Sequence, residues 1–260
     1  MKNRFLLWAL PILMAAVSCQ QQRPEGQAPA STTTANPAAP GFNAQGSDPA
    51  AIALADEVMA AMGGRKAWDE TRYLHWNFFG RRSLLWDKYT GDVRITFLPD
   101  SNAIVLNINS PAKGAALMGG QLVSSTDSLQ ALLQQGKSIW INDAYWLAMP
   151  FKLKDSGVTL KHLGADTTQA GAPAQKLQLT FEKVGDTPQN KYEVWVSDTS
   201  KRVVQWAYFP TAEDPAPAFI TPWSGYEQQG SIFLSGGRGE RSLTEIKVLE
   251  EVPQAAFQLP

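Results

Sequence analysis

The sequence has 260 residues, 44% of them apolar, and 23 Lys and Arg residues against 24 Asp and Glu residues, a formal net charge of −1. This balance, without a clustered basic excess, excludes a nucleic-acid-binding protein. The single cysteine, Cys19, cannot form a disulfide within the chain, so the fold must be held by its core. The length is sufficient for one sizeable core.

The first 18 residues have the pattern of an export signal. Two basic residues, Lys2 and Arg4, precede an apolar run over residues 5–17. The run is shorter than the roughly 20 residues with which a helix spans a bilayer, so cleavage is expected. Its junction with Cys19 resembles the lipobox of bacterial lipoproteins, which implies cleavage after Ser18 and acyl modification of Cys19. The alternative is an ordinary cleaved signal followed by an unmodified thiol.

The segment that follows, residues 19–47, is predicted to be a disordered tether that begins at the lipidated cysteine. It is rich in Gln, Ala, Pro and Thr and has almost no large apolar side chains. Such a composition buries too little surface to offset the entropy lost on ordering. Residues 48–260 are predicted to form a single domain.

The first predicted helix begins at Ser47-Asp48-Pro49, where a candidate N-cap precedes a proline in the first turn. Apolar residues then recur at helical spacing up to Met62, and Gly63-Gly64 is typical of a helix end. After a short helical turn near residues 66–70, apolar residues alternate with period two. Short turns join these segments, so the strands are expected to be antiparallel. The strands are predicted near residues 73–78, 84–86, 93–97 and 104–108.

Helical spacing returns in the middle of the chain. Thr126-Asp127 is a candidate cap for a helix ending at Gly136, and residues 139–149 are predicted to form a second helix that ends before Pro150. Strands resume from residue 158, with alternating segments near residues 177–181, 192–196, 203–208, 226–234 and 243–248. About ten strands with two or three helices in separate blocks exclude a doubly wound parallel sheet. The predicted fold class is α+β, with one large curved antiparallel sheet, an open half-barrel, covered by helices.

This order of elements behind a lipobox resembles the bacterial lipoprotein-carrier family, the LolA/LolB-like proteins. Three segments add to the resemblance: residues 86–91 (WDKYTG), residues 142–152 (NDAYWLAMPFK) and residues 221–223 (TPW). The resemblance covers residues 48–260. It implies a bent sheet closed over by helices around an apolar cavity for acyl chains. Cys19 makes the chain resemble the anchored receptor of that family rather than its soluble carrier.

The predicted strand over residues 203–209 carries apolar side chains on both faces. A sheet with one solvent-facing side should not show this pattern, whereas a sheet that lines a cavity should. For each aromatic residue the alternative is an ordinary place in the core. The residues predicted to line an apolar ligand cavity are Trp76, Phe78, Trp86, Phe97, Trp140, Trp146, Met149, Trp195 and Trp206.

The sequence carries no recognisable catalytic or metal-binding signature. Its two histidines, His75 and His162, do not form an H-x-x-H pair, and there is no G-x-S-x-G motif. His75 is expected to be a hydrogen-bonded structural residue. Asp87 and Asp143 could form a carboxylate pair, but turn or cap roles are favoured for both. No catalytic residue, metal ligand or cofactor is therefore predicted.

The predicted function is non-enzymatic binding of a lipid, or of the acyl chains of another lipoprotein, by a membrane-anchored protein. Gln20 lies where retention in the inner membrane is associated with an aspartate, so the expected location is the periplasmic face of a Gram-negative outer membrane. The alternative is a structural or interaction module that docks to an envelope protein complex. In that case the proline-rich residues 210–222 and Trp223 would form the contact.

Overall fold

The computed structural model describes residues 35–100, 102–110 and 112–260. The predicted export signal, Cys19 and the first part of the predicted tether lie outside the described residues. The described helices are α1 (Pro49–Ala61), α2 (Arg65–Glu70) and α3 (Thr126–Ala148), with 3-10 turns at Met149–Phe151 and Gln254–Phe257. The strands are β1 (Tyr73–Phe78), β2 (Arg82–Asp87), β3 (Asp92–Phe97), β4 (Ala103–Asn107), β5 (Gly114–Met118), β6 (Gln121–Leu122), β7 (Val158–Thr167), β8 (Pro173–Phe181), β9 (Lys191–Ser197), β10 (Val203–Phe209), β11 (Phe219–Pro222), β12 (Ser224–Gln229), β13 (Ile232–Arg238) and β14 (Arg241–Leu249).

The strands form two antiparallel sheets. The large sheet has nine strands in the order β12-β13-β14-β1-β2-β3-β4-β5-β6, and the small sheet has five in the order β11-β10-β9-β8-β7. The α+β class with an antiparallel sheet is confirmed. The described part of the chain has fourteen strands where about ten were predicted. Short edge strands such as Gln121–Leu122 and Phe219–Pro222 account for part of the difference, because they lack a buried face with period-two alternation.

Helix α1 has the ends that the sequence predicts. Pro49 occupies the first turn, and five apolar side chains of the helix are buried. Asp48 is the N-cap residue, but its carboxylate accepts the backbone N–H of His162 and the Nζ of Lys161, both at 3.0 Å, rather than capping the helix. Gly63 has φ +112°, and a Cβ there would lie 2.3 Å from the carbonyl oxygen of Ser231. Only glycine fits this helix end.

The chain before α1 packs against the domain from about residue 36 onward, earlier than the predicted start at residue 48. We call residues 36–47 the N-terminal strap. Its Asn36 donates from Nδ2 to Asp56 Oδ1 at 2.7 Å, and the carbonyl oxygen of Asn36 accepts from Lys154 Nζ. The carbonyl of Gly41 accepts from the backbone of Gly157 at 2.8 Å. These are contacts of backbone and small polar groups, which an apolar pattern does not reveal.

Helix α3 runs without interruption through Gly136, so the prediction of two helices divided there is wrong. Ser125 caps its N-terminus by accepting the backbone N–H of Ser128 at 3.5 Å. Gly136 is buried, and a Cβ at this position would lie 3.0 Å from Ile104 Cγ2 and 3.3 Å from Leu106 Cδ2. The glycine therefore permits close packing of α3 on β4 instead of ending the helix.

Candidate functional site

A cavity of about 720 Å³ lies between α3 and the small sheet. This volume is within the range of roughly 300–1,000 Å³ that is common for small-molecule sites. Side chains of α3, β8, β9, β10 and β11 form most of its wall, and Trp86 of β2 also lines it. We call it the aromatic cavity, after its aromatic lining residues Trp86, Trp140, Tyr145, Trp146, Phe181, Tyr192, Trp206, Tyr208 and Phe219.

Trp206 is the centre of the aromatic wall. Its indole stacks on the ring of Tyr192, with centroids 5.0 Å apart and planes 2° apart, and meets Trp146 edge to face at 4.7 Å. Phe219 stacks on Trp146 at 5.8 Å, and Trp86 meets Trp140 edge to face at 5.2 Å. Aromatic pairs in these geometries attract one another beyond simple area burial, so the rings support each other as a wall.

A buried ion pair fixes the helix that supplies half of this wall. Arg82 of β2 donates from Nε to Asp143 Oδ2 at 2.5 Å and from Nη2 to Oδ1 at 2.7 Å. Asp143 is fully buried, and Asn142 Nδ2 donates to its Oδ1 at 2.9 Å. Burial raises the pKa of Asp143, and the hydrogen bonds from Arg82 oppose that rise. The two parallel bonds hold α3 at one orientation on the large sheet.

A buried cation, Arg238, holds the last turn of α3. Arg238 of β13 donates from Nη2 to the carbonyl oxygen of Trp146 at 2.6 Å, and its guanidinium lies 3.5 Å from the ring centroid of Trp223. Burial lowers the pKa of Arg238 to about 9. The last carbonyls of a helix are the negative end of its dipole, so they stabilise this cation. Arg238 is the last residue of β13, and the turn at residues 239–240 leads from it into β14.

Polar side chains line the cavity where it meets solvent. Lys152 and Asp155 form an ion pair there, and both are about one third exposed. Ser156 belongs to the same rim and lies next to the N-terminal strap, since a Cβ on Gly41 would be 2.6 Å from its Oγ. The strap therefore joins the domain beside the rim of the aromatic cavity.

Four of the nine residues predicted to line a cavity are brought together in it: Trp86, Trp140, Trp146 and Trp206. The other five are placed elsewhere. Trp76, Phe78 and Met149 are buried in the main core, and Phe97 packs against the edge of that core. These four side chains pack between secondary-structure elements and do not line the cavity.

Trp195 lies on the opposite face of the small sheet from Tyr192, as alternation along β9 requires. It belongs to a separate cluster with Ala174, Ala207 and Phe209, and its Nε1 donates to Asp166 Oδ2 at 3.1 Å. The second apolar face of β10 therefore serves this small cluster. Only the face with Trp206 and Tyr208 lines the cavity.

Five further aromatic residues of the wall were not predicted: Tyr145, Phe181, Tyr192, Tyr208 and Phe219. Tyr208 follows Trp206 at period two and pairs with Tyr192 across the strands, a signal that could have identified both. Phe219 comes from the proline-rich segment, where the sequence shows no periodicity. Its place depends on the tertiary fold alone.

The residues weighed for other chemistry have separate structural partners. His75 is hydrogen-bonded on both sides, to the carbonyl oxygen of Glu245 at 3.0 Å and to Ser83 Oγ at 2.9 Å. Asp87 accepts from Arg72 and from the backbone of Tyr89 in a turn. In the described residues, no group of three His, Cys, Asp or Glu side chains is arranged to hold a metal ion. No described helix is both long and apolar enough to cross a membrane.

The surface suggested for a docking module is not available as predicted. Trp223 is 1% exposed and packs between Trp206 and the guanidinium of Arg238. Its large apolar ring made it a plausible contact residue in the sequence, but the turn from β11 to β12 directs it into the core. In the proline-rich segment, Phe219 is 37% exposed and also lines the aromatic cavity.

A search of solved structures found similar bacterial proteins. A domain named as an outer membrane lipoprotein-sorting protein, from Vibrio parahaemolyticus, is 8% identical, with a TM-score of 0.43 over 80% of this chain and 96% of that one. A DUF1329 family protein from Desulfovibrio piger is 14% identical, with a TM-score of 0.41 over 82% of this chain and 98% of that one. No family model and no curated protein matches the sequence.

Proposed function

We propose that this protein is an envelope lipoprotein that binds a hydrophobic ligand in the aromatic cavity and catalyses no reaction on it. The ligand is a lipid or the acyl chains of another lipoprotein. The observation that carries the proposal is the cavity itself, about 720 Å³ walled by nine aromatic side chains. Such a wall recognises apolar length without directional chemistry, because each buried methylene contributes about 0.8 kcal/mol.

We further propose that an N-terminal acyl anchor attaches the protein to the membrane. Cleavage after Ser18 would leave Cys19 to carry acyl chains, and the intervening residues would tether the domain to the periplasmic face of the outer membrane. The strap supports this arrangement, since it joins the domain beside the rim of the cavity. The intact mass of the N-terminal peptide from envelope-purified protein tests it. An unmodified Cys19 would contradict the anchor without affecting the cavity.

Native mass spectrometry of the full chain, extracted gently from membranes, tests ligand binding. We expect adducts of lipid mass, and we expect Phe219→Glu to reduce their occupancy about tenfold, because the carboxylate would have to be desolvated beside the ligand. Phe219 is partly exposed, so the variant is expected to fold.

The matched control is Leu163→Glu. Leu163 is an exposed apolar residue of β7 outside the cavity lining, and its replacement should leave the adducts unchanged. A bare chain mass with no uptake of added lipid would overturn the proposal. A stoichiometric protein partner without lipid would instead favour the docking module.

A further inference from the structure

We propose that the ligand of the aromatic cavity is a lipid with ester carbonyl groups, and that the hydroxyl of Tyr145 donates a hydrogen bond to one of them. This inference rests on the proposed function, since it specifies the ligand of the same cavity. Its basis is a set of buried hydrogen-bond donors that the protein itself leaves without acceptors.

Among the described residues, eight buried side-chain nitrogen and oxygen atoms have no hydrogen-bond partner. Four of them belong to side chains of the cavity wall: Nε1 of Trp86, Trp140 and Trp206, and the hydroxyl of Tyr145. All four can donate a hydrogen bond, and an indole N–H can only donate. A buried donor without an acceptor is destabilising, so the wall favours a ligand that supplies acceptors.

Tyr145 has the central position in this set. Its ring extends from α3 toward the small sheet, with centroids 5.4 Å from Tyr192, 6.2 Å from Phe181 and 6.3 Å from Trp206. All three neighbours are cavity-wall residues. Buried tyrosine hydroxyls usually find a partner, and this one has none among the described residues. The hydroxyl is closed off from solvent by these rings, so a ligand reaches it by displacing them.

The hydroxyl of Tyr145 remains a donor at all ordinary pH values. Burial raises its pKa well above 10, and the charges of Tyr192 and Asp155 raise it further. The group is therefore able to donate a hydrogen bond to a ligand acceptor throughout this range.

The charges of the cavity favour a neutral acceptor over a free carboxylate. The charged side chains of its lining are Lys152, Asp155 and Asp186, and Lys152 is already paired with Asp155. The lining therefore has a net negative charge, which repels the head group of a fatty acid anion. An ester carbonyl accepts hydrogen bonds without a charge. Diacyl lipids meet both requirements, whereas ether-linked lipids of the same length have no carbonyl to offer.

The test is a competition in a single native mass spectrum of the full chain. The protein is mixed in detergent micelles with equal amounts of a diacylglycerol and the dialkylglycerol of the same chain length. Both lipids partition alike into the micelle, so the ratio of their adducts measures the preference of the cavity. We expect the ester-linked lipid to be preferred about tenfold, the size expected for one additional hydrogen bond.

Tyr145→Phe should abolish this preference while retaining binding of the ether-linked lipid, because only the hydroxyl is removed. Tyr89→Phe is the matched control: it removes the same hydroxyl from an exposed tyrosine outside the cavity lining, where that hydroxyl donates to the carbonyl oxygen of Glu70 at 3.1 Å. This variant should keep the preference.

Equal adducts of the two lipids with the unmodified protein would overturn the inference and leave the proposed function standing. The same conclusion follows if Tyr145→Phe retains the preference. Failure of both lipids to bind would overturn the proposed function and the inference with it. Should Tyr145→Phe fail to fold, the ester-to-ether ratio of the unmodified protein still decides the question.

Discussion

Two arginine side chains, Arg82 partly buried and Arg238 buried, stabilise the aromatic cavity from outside its wall. Arg82 donates two hydrogen bonds to Asp143, and Arg238 donates one to the carbonyl oxygen of Trp146. A buried ion pair has a large desolvation cost, so it adds little net stability relative to well-packed apolar residues. We infer that these contacts act mainly by specifying one orientation of α3. A single orientation of α3 fixes the positions of Trp140 and Trp146 in the cavity wall.

Removal of one partner should be costly for this reason. Arg82→Met leaves the carboxylate of Asp143 fully buried, with only Asn142 Nδ2 as a side-chain donor. The free energy of unfolding should fall by about 3–5 kcal/mol, the range for an uncompensated buried charge. Urea unfolding followed by tryptophan fluorescence measures this change.

Lys66→Met provides the comparison. Lys66 pairs with Glu70 on α2, and both side chains are exposed, so solvent and salt screen their attraction. The unfolding midpoint of this variant should be nearly unchanged. If the free energies of unfolding of Arg82→Met and Lys66→Met differ little, the Arg82–Asp143 pair does not hold α3 in its orientation.

Helix α3 is the element on which the cavity depends. One side of it packs on β4 of the large sheet, and its C-terminal half faces the small sheet across the cavity. Gly136 permits the first contact, because the methyl groups of Ile104 and Leu106 occupy the space where a side chain would be. The distance between α3 and the small sheet follows from how closely α3 approaches the large one.

Gly136→Val should therefore push α3 away from β4. Overpacking of this kind costs about 1–3 kcal/mol in the free energy of unfolding, and the displaced helix should reduce the lipid adducts as well. Chemical unfolding and native mass spectrometry of the same sample measure the two effects.

Ala131→Val is the control on the same helix. Ala131 is exposed, so the added methyl groups contact solvent. The free energy of unfolding should fall only by the difference in helix propensity between alanine and valine, about 0.7 kcal/mol or less. A Gly136→Val variant as stable as this control would show that the close contact with β4 is not required.

At the scale of the whole molecule, the N-terminal strap links the chain before α1 to the rim of the cavity. The buried side chain of Lys154 makes the ionic contact of this link. Its Nζ lies 2.5 Å from Asp56 Oδ1 and also donates to the carbonyl oxygen of Asn36. The carbonyl oxygen of Lys154 accepts the backbone N–H of Ala39 at 2.9 Å. One residue thus holds α1 and the strap together.

Lys154→Met should release the strap while the rest of the domain stays folded. The amide hydrogens of the strap, including those of Ala39 and Asn43, should exchange at least tenfold faster. Local opening of the strap in this variant no longer has to break the bonds that Lys154 Nζ makes with Asp56 and with the carbonyl oxygen of Asn36. Hydrogen exchange with mass spectrometry resolves this segment from the sheets.

Lys201→Met is the corresponding control. Lys201 pairs with Glu57 of α1, and both side chains are substantially exposed. Exchange in the strap should stay at the unmodified rate. Unchanged exchange in Lys154→Met would show that backbone contacts alone hold the strap.

Prediction from the sequence succeeded where the signal was local. Proline at the start of α1 and paired glycines at its end mark the helix correctly, and alternation identifies β1 to β4. The predicted helix end at Gly136 was wrong because glycine ends some helices and permits close packing in others. The sequence does not distinguish these two uses. The strap was missed because most of its contacts are made by backbone groups and polar side chains, and its single large apolar residue, Phe42, gives no periodic pattern.

The sequence by itself determined the α+β class and the antiparallel pairing, since these follow from periodicity and turn chemistry between near neighbours. Only the tertiary structure decided which aromatic residues share the cavity. Trp206 and Trp195 look alike in their strands, yet one faces α3 and the other a small cluster on the far side of the sheet. That choice depends on which face of the small sheet α3 covers, a contact between residues far apart in the chain.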